Sequence, residues 1–252
     1  MSHSTKSPTT PPRSGLSLEM LAQPDDITCG PTALHAVYRY YGDPVGIGDV
    51  IAEVPMLADG GTLAVMLGCH ALGRGFSSTL FTYNLQMFDP TWFEPGVDLA
   101  DKLRRQRDAK AVPKLHAATE AYLEYLRLGG EIRFEELSGG LLRRFLARGR
   151  PILAGLSATY LYGKSREIGA TNEADDVRGE PVGHFVVLSG YDKAHGTVDV
   201  ADPYKNHRHS DSHHYPVGID RVLGAILLGV LTYDANMLLV RPPRPLAGSM
   251  ET

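Results

Sequence analysis

The sequence predicts an α+β fold in which helices come first and an antiparallel sheet follows, and three observations support this. Apolar residues near the start recur at helical spacing, as at Leu34, Val37, Tyr38 and Tyr41. The second half instead carries short β-type runs at 184–190, 197–201 and 237–240, each bounded by Gly, Asp or Pro. Grouped helices and then grouped strands argue against alternating βαβ units. The composition, 43% hydrophobic and 21% charged over 252 residues, is that of a globular chain able to bury a core.

Each element has a local reason. Residues 1–18 are rich in Ser, Thr and Pro and lack the apolar stretch of a secretory signal, so they are expected to form a disordered arm. Thr28-Cys29-Gly30-Pro31 opens the first helix, with Thr28 as its N-cap and Pro31 in the first turn, and Gly42 closes it. Helices follow at 47–54 and 63–72, separated by Pro55 and Gly60-Gly61, and 76–83 reads as a strand. The charged stretch 98–128 has helical periodicity in its second half, with a break near Pro113. Beyond it come a strand at 131–137, a helix at 141–148, an apolar run at 151–162 and a helix near 221–228. The expected organisation is one domain over 19–245 with a helical insertion around 84–130, followed by a flexible tail at 246–252.

Several function classes are disfavoured at this stage. With 25 basic and 29 acidic side chains the net charge is −4, so no global basic field draws the chain to nucleic acid. Only Cys29 and Cys69 are present, too few for a disulfide framework. No window reaches the ~18 apolar residues of a membrane span, and the expected location is cytoplasmic. One local exception to the charge balance is the stretch 102–114, with six basic residues and one acid, which reads as a solvated face or a surface for a protein partner.

Chemistry gathers around Cys29. A helix N-terminus offers unpaired N–H groups and the positive end of the dipole, which favour thiolate over thiol. The bland alternative is a small buried hydrophobe. Gln23 lies six residues upstream on a Pro24-Asp25-Asp26 loop, from which its amide can reach over the helix start and donate to an oxyanion. His184 opens the apolar run Phe185-Val186-Val187-Leu188, where a strand would hold its ring in place. The next strand supplies a partner: if the two runs form a hairpin turning at 192–196, Asp202 falls opposite or nearly opposite His184. A carboxylate there would accept one imidazole N–H and leave the other nitrogen for Cys29.

These residues carry a resemblance. Gln23-Pro-Asp-Asp-Ile-Thr-Cys29-Gly-Pro-Thr-Ala-Leu34, with Gly183-His184-Phe-Val-Val-Leu-Ser-Gly-Tyr-Asp192 and Val198-Asp-Val-Ala-Asp202-Pro downstream, resembles the bacteriocin-processing, double-glycine leader peptidase family of the papain-like superfamily. The resemblance implies a papain-like fold, with a helical lobe carrying the cysteine packed against an antiparallel sheet lobe carrying the histidine. It also implies the roles: Cys29 as nucleophile, His184 as base and acid, Asp202 as the orienting residue and Gln23 as the oxyanion donor, with no cofactor. The expected function is a cysteine hydrolase acting on a peptide or related amide. A catalytically silent peptide-binding module and an acyl or amide transferase are the alternatives. Many family members precede an ATP-driven exporter, and neither a membrane span nor a phosphate-binding Gly-rich loop is present in this sequence.

Three weaker signals remain. His207, His209, His213 and His214, with Asp211, form a histidine-rich loop at 207–214 that could take up zinc, although the spacing matches no zinc motif. The acidic run Glu173-Ala-Asp-Asp176 lies in a polar loop at 164–180 that leads to His184 and could favour basic substrates. Cys69 is expected to pack in the core.

Overall fold

An eight-stranded sheet forms the centre of the molecule, and its strands come from both halves of the chain. The structure, a computed structural model, describes residues 14–58, 60–169, 171–205 and 211–243. In chain order the elements are β1 (Ser14–Gly15), α1 (Cys29–Tyr40), α2 (Ile47–Glu53), α3 (Ala64–Gly73), β2 (Ser77–Thr82), a 3-10 turn (Pro90–Phe93), α4 (Leu99–Ala109), α5 (Pro113–Arg127) and β3 (Glu131–Arg133). There follow α6 (Gly139–Leu146), β4 (Ile152–Ser157), α7 (Ala158–Tyr162), β5 (Glu167–Ile168), β6 (Glu173–Ala174), β7 (Gly183–Asp192), β8 (Thr197–Ala201) and β9 (His214–Gly218). The last elements among the described residues are α8 (Ile219–Leu228), a second 3-10 turn (Gly229–Thr232) and β10 (Asn236–Arg241).

The strand order is β3-β2-β10-β4-β7-β8-β9, and β1 pairs with β7. The α+β class is as the sequence predicts. The sheet is antiparallel except at one edge, where β3 pairs parallel to β2 after α4 and α5 have carried the chain back. Strand β2 is also not segregated from the later strands: β10 hydrogen-bonds to it along its whole length, Asn236 opposite Thr82 and Arg241 opposite Ser77.

Alternation along the strands explains why both faces are covered. Leu80, Leu153, Val187 and Leu238 face the core shared with α1, α3 and α5. Their neighbours Phe81, Ala154, Val186 and Met237 face the opposite core, shared with α6 and α8. A sheet buried on both faces needs near-continuous apolar runs, and every residue of β4 is buried. Residues of the 84–130 stretch join the first core: Leu103 of α4, and Leu115, Tyr122 and Tyr125 of α5, are buried in it.

Some expectations need correction. The arm proposed for 1–18 is structured at its end, because Ser14–Gly15 pairs with β7 and Leu18 and Met20 are buried; residues 1–13 lie outside the described residues. The strand at 131–137 is only three residues long, and both halves of the 98–128 stretch are helical. The apolar run 151–162 splits into β4 and α7 at Ser157, whose hydroxyl accepts from the Tyr160 N–H and starts the helix. Residues 246–252 lie outside the described residues. No helix among the described residues is long and apolar enough to cross a membrane.

Candidate active site

Cys29 is the first residue of α1 and is half-buried. Thr28 is at the N-cap position but makes no capping hydrogen bond with its side chain; its hydroxyl turns to the carbonyl of Asp25, at 3.4 Å. The first-turn N–H groups therefore keep their capacity for an external acceptor. Gly30 serves a packing role. A β-carbon there would lie 2.6 Å from Thr62 Cγ2 and 3.1 Å from Phe185, so glycine is what lets the helix start press against β7.

His184 is the second residue of β7 and is buried, 7% exposed. Its Nε2 pairs with Asp202 Oδ1 at 2.8 Å. Cys29 acts electrostatically on the imidazole, and Nδ1 is the ring nitrogen that Asp202 does not take. Burial opposes the imidazolium, but the Asp202 charge, together with Cys29, outweighs it and lifts His184 to about 10.

The register differs from the expected one. Val187 faces Ala201 and Leu188 faces Val200, with an irregularity between Leu188 and Gly190. Continued to its end, this pairing puts Asp202 two residues from the position opposite His184. An imidazole spans that diagonal, and the hydrogen bond forms.

Asp202 is fully buried, and three further groups compensate for its desolvation. Tyr162 and Tyr215 donate their hydroxyls to Oδ2 at 2.7 and 2.5 Å, and the Tyr204 N–H donates to Oδ1 at 2.9 Å. Burial alone would raise the carboxyl; the His184 charge and these hydrogen bonds hold it below its usual value. Both tyrosines stay protonated, since burial and the adjacent Asp202 charge push their hydroxyls well above the usual phenol range. Sequence reasoning missed both. Their one visible signal was an aromatic at the end of an apolar run and another in the strand after Asp202.

Gln23 reaches the same neighbourhood. Its backbone N–H donates to the Pro203 carbonyl at 3.0 Å and its Nε2 to Asp25 O at 2.7 Å, so one amide hydrogen is already engaged. Gln23, His184, Tyr162 and Tyr204 line a cleft of about 270 Å³. Lys164, held by Glu167 at 2.5 Å and lying over the Tyr162 and Tyr204 rings, borders it. Asn172, between β5 and β6, crosses to Asp26 at 3.1 Å and bridges one end of the cleft.

The acidic run at 173–176 does not line this cleft. Asp175 instead accepts from the Val177 and Arg178 N–H groups and pairs with the Arg178 side chain. A buried carboxyl that the sequence did not single out, Asp234, lies close by. A β-carbon on Gly183 would meet its Oδ2 at 2.8 Å, and its Oδ1 is buried without a partner among the described residues. Burial raises Asp234 to about 8, against the opposing effect of Lys114.

Other sequence candidates fall elsewhere. Cys69 packs between α3 and α5, its sulfur 3.6 Å from the Ala121 carbonyl, and burial pushes its thiol up to about 12. His207 and His209 lie outside the described residues; His213 Nδ1 contacts the Asp202 carbonyl at 2.6 Å, and no metal-binding cluster occurs among the described residues. In the basic stretch 102–114, Arg105 pairs with Asp101, and Arg107 with Asp108 and Glu120.

A helix start bearing a cysteine, set against a strand bearing a histidine, defines the class as a papain-like cysteine peptidase fold. The chain belongs to the Peptidase C39 like family, whose model matches residues 16–222. A comparison with curated proteins finds no match. Two crystal structures are similar at low identity. One is a double glycine motif protease from an AMS/PCAT transporter in complex with the leader peptide, 14% identical, with a TM-score of 0.43 over 90% of this chain and 94% of that one. The other is a C39-like peptidase from Bacillus anthracis, 15% identical, with a TM-score of 0.46 over 91% of this chain and 98% of that one.

Proposed function

We propose that the protein is a cysteine hydrolase that cleaves a peptide or related amide bond through a thioester on Cys29. The observation that carries this reading is the buried His184–Asp202 pair at 2.8 Å, which leaves Nδ1 free, with Cys29 acting electrostatically on the same imidazole. Asp202 fixes the ring orientation and stabilises its positive charge, and the other nitrogen serves the sulfur. The sulfur attacks the carbonyl carbon and a C–S bond forms. The developing oxyanion takes a hydrogen bond from the Cys29 N–H at the uncapped helix start and one from the free amide hydrogen of Gln23. The C–N bond then breaks, His184 gives its proton to the departing amine, and water, deprotonated by His184, hydrolyses the thioester and restores the thiol.

The cleft beside Gln23 and His184 takes the leaving segment, because the departing nitrogen must sit at the histidine. Its Tyr204 and Tyr162 walls offer apolar contact and Lys164 a cation, which suits a peptide segment.

Intact-protein mass spectrometry during incubation with peptide esters, including ones ending in Gly-Gly, tests the proposal. The expected result is a transient acyl adduct mapped to Cys29 and absent from Cys29→Ala. Peptide binding with neither adduct nor product would favour the silent binding module, and transfer to an added amine in preference to water would favour the transferase.

A further inference from the structure

The far end of the sheet carries a second site. A groove of about 400 Å³ lies on the face opposite α1, beside α6, and five arginines line it: Arg133, Arg144, Arg148, Arg150 and Arg241. It is remote from Cys29. Arg241 ends β10, whose other end, Asn236, adjoins Asp234 and the candidate active site; the strand separates them by roughly 17 Å.

The fold brings the guanidinium groups together in three ways. Pairing of Phe81 with Arg133 puts Arg133 on the Phe81 face at the sheet edge. Arg144 projects from α6 and lies over the Phe145 ring at 4.9 Å. Gly149, at φ +68, reverses the chain after α6, so that Arg148 and Arg150 line the same groove.

The carboxylates nearby are too few to neutralise this charge. Glu131 pairs with Arg133 at 2.7 Å, and Glu135 pairs with Arg144 at 2.6 Å and with Arg133 at 3.5 Å. Among the described residues no carboxylate forms an ion pair with Arg148, Arg150 or Arg241. Arg241 Nε is buried without a hydrogen-bond partner among the described residues. Buried donors without acceptors are costly unless something satisfies them. Five guanidiniums against two carboxylates leave three positive charges, in a chain whose net charge is −4.

We propose that this groove is a binding site for a small molecule carrying a diphosphate group. Three uncompensated charges match a diphosphate group at neutral pH, whose terminal phosphate carries about 1.5 to 2 negative charges and whose inner phosphate carries about one. Arginine is the only cationic residue in the lining, and its planar fork suits phosphate oxygens. The groove's volume of about 400 Å³ suits a small molecule.

Isothermal titration of the full chain with inorganic diphosphate, phosphate and citrate at constant ionic strength tests this. Saturable diphosphate binding at least about tenfold tighter than either competitor is expected. Arg148→Gln, on an exposed side chain, and Arg241→Gln should each weaken it by about tenfold or more, with the fold checked by circular dichroism. Cys29→Ala should bind diphosphate unchanged. No saturation at millimolar diphosphate, equal affinity for citrate, or unaltered binding in Arg148→Gln would overturn the site. Tighter binding of a single-stranded oligonucleotide would reassign the groove to nucleic acid and overturn the small-molecule proposal.

Discussion

The backbone N–H of Gln23 donates to the carbonyl of Pro203 at 3.0 Å, which ties the loop entering Cys29 to the residue after Asp202. The backbone makes this tie, so it survives removal of the Gln23 side chain, whose amide bonds only within its own exposed loop. Gln23→Ala is therefore expected to fold with stability within about 0.5 kcal/mol of the parent and to lose ~10²–10³ in kcat. Steady-state kinetics beside a thermal melt checks both; full turnover in the folded variant would remove Gln23 from the oxyanion site.

The pH profile follows from His184. Its folded value, about 10, lies above its unfolded value of 6.5, so the ion pair persists to about 10, and the stability it contributes is complete below 6.5 and lost as pH rises through about 10. The alkaline limb of kcat/KM should accordingly fall near 10. A limb near 6.5 would show that Asp202 and Cys29 do not stabilise the imidazolium.

Tyr215→Phe removes a donor at 2.5 Å from a buried carboxylate. Hydrogen bonds to charged groups contribute about 1.5–3 kcal/mol, and a loss in that range is expected. The depressed Asp202 value makes its stabilisation present above 3.8 and lost as pH falls through the folded value. The variant raises that folded value, so acid unfolding should begin at higher pH than in the parent. Unchanged acid denaturation monitored by circular dichroism would contradict this role for the tyrosine.

Asp234 behaves in the opposite sense. Burial raises it to about 8, so ionisation of the unfolded chain above pH 3.8 progressively disfavours the folded state until pH passes 8. The Tm advantage of Asp234→Asn over the parent should widen between pH 4 and pH 8 and level off beyond. Calorimetry showing a pH-independent gap would mean that Asp234 is ionised in the folded protein throughout that range.

Gly30→Ala inserts a β-carbon where Thr62 and Phe185 already lie. The helix start must withdraw from β7, costing about 1–3 kcal/mol and moving the sulfur away from His184. Activity should fall further than the loss of stability explains. A Gly30→Ala variant with parental kcat would show that the helix start can shift without moving the thiol out of reach.

Local patterns made much of this legible. The helix at Cys29 followed from its apolar spacing and proline, and the approach of His184 to Asp202 followed from hairpin arithmetic. The arithmetic missed the register by two residues, because the turn lies between Asp192 and Thr197, centred beyond 193, and the irregularity between Leu188 and Gly190 takes back only one residue of that offset. Tyr162 and Tyr215 reach Asp202 from 40 and 13 residues away, contacts that only the assembled sheet creates. Asp234 reads as a turn residue in Thr232-Tyr233-Asp234-Ala235, and nothing in that string signals that Gly155 and Gly183 pack against it. The arginines of the distal groove come from three separate segments, and the β2–β10 and β2–β3 pairings bring Arg241 and Arg133 together.

The rate of Cys29 alkylation by iodoacetamide at pH 6, with Cys69 in the same molecule as internal control, is the most direct test of whether His184 activates the sulfur. The account predicts rapid modification of Cys29, none of Cys69, and loss of that selectivity in His184→Ala. Slow alkylation of Cys29 that rises only near the free-thiol range of about 8.5, unchanged by removal of His184, would contradict it.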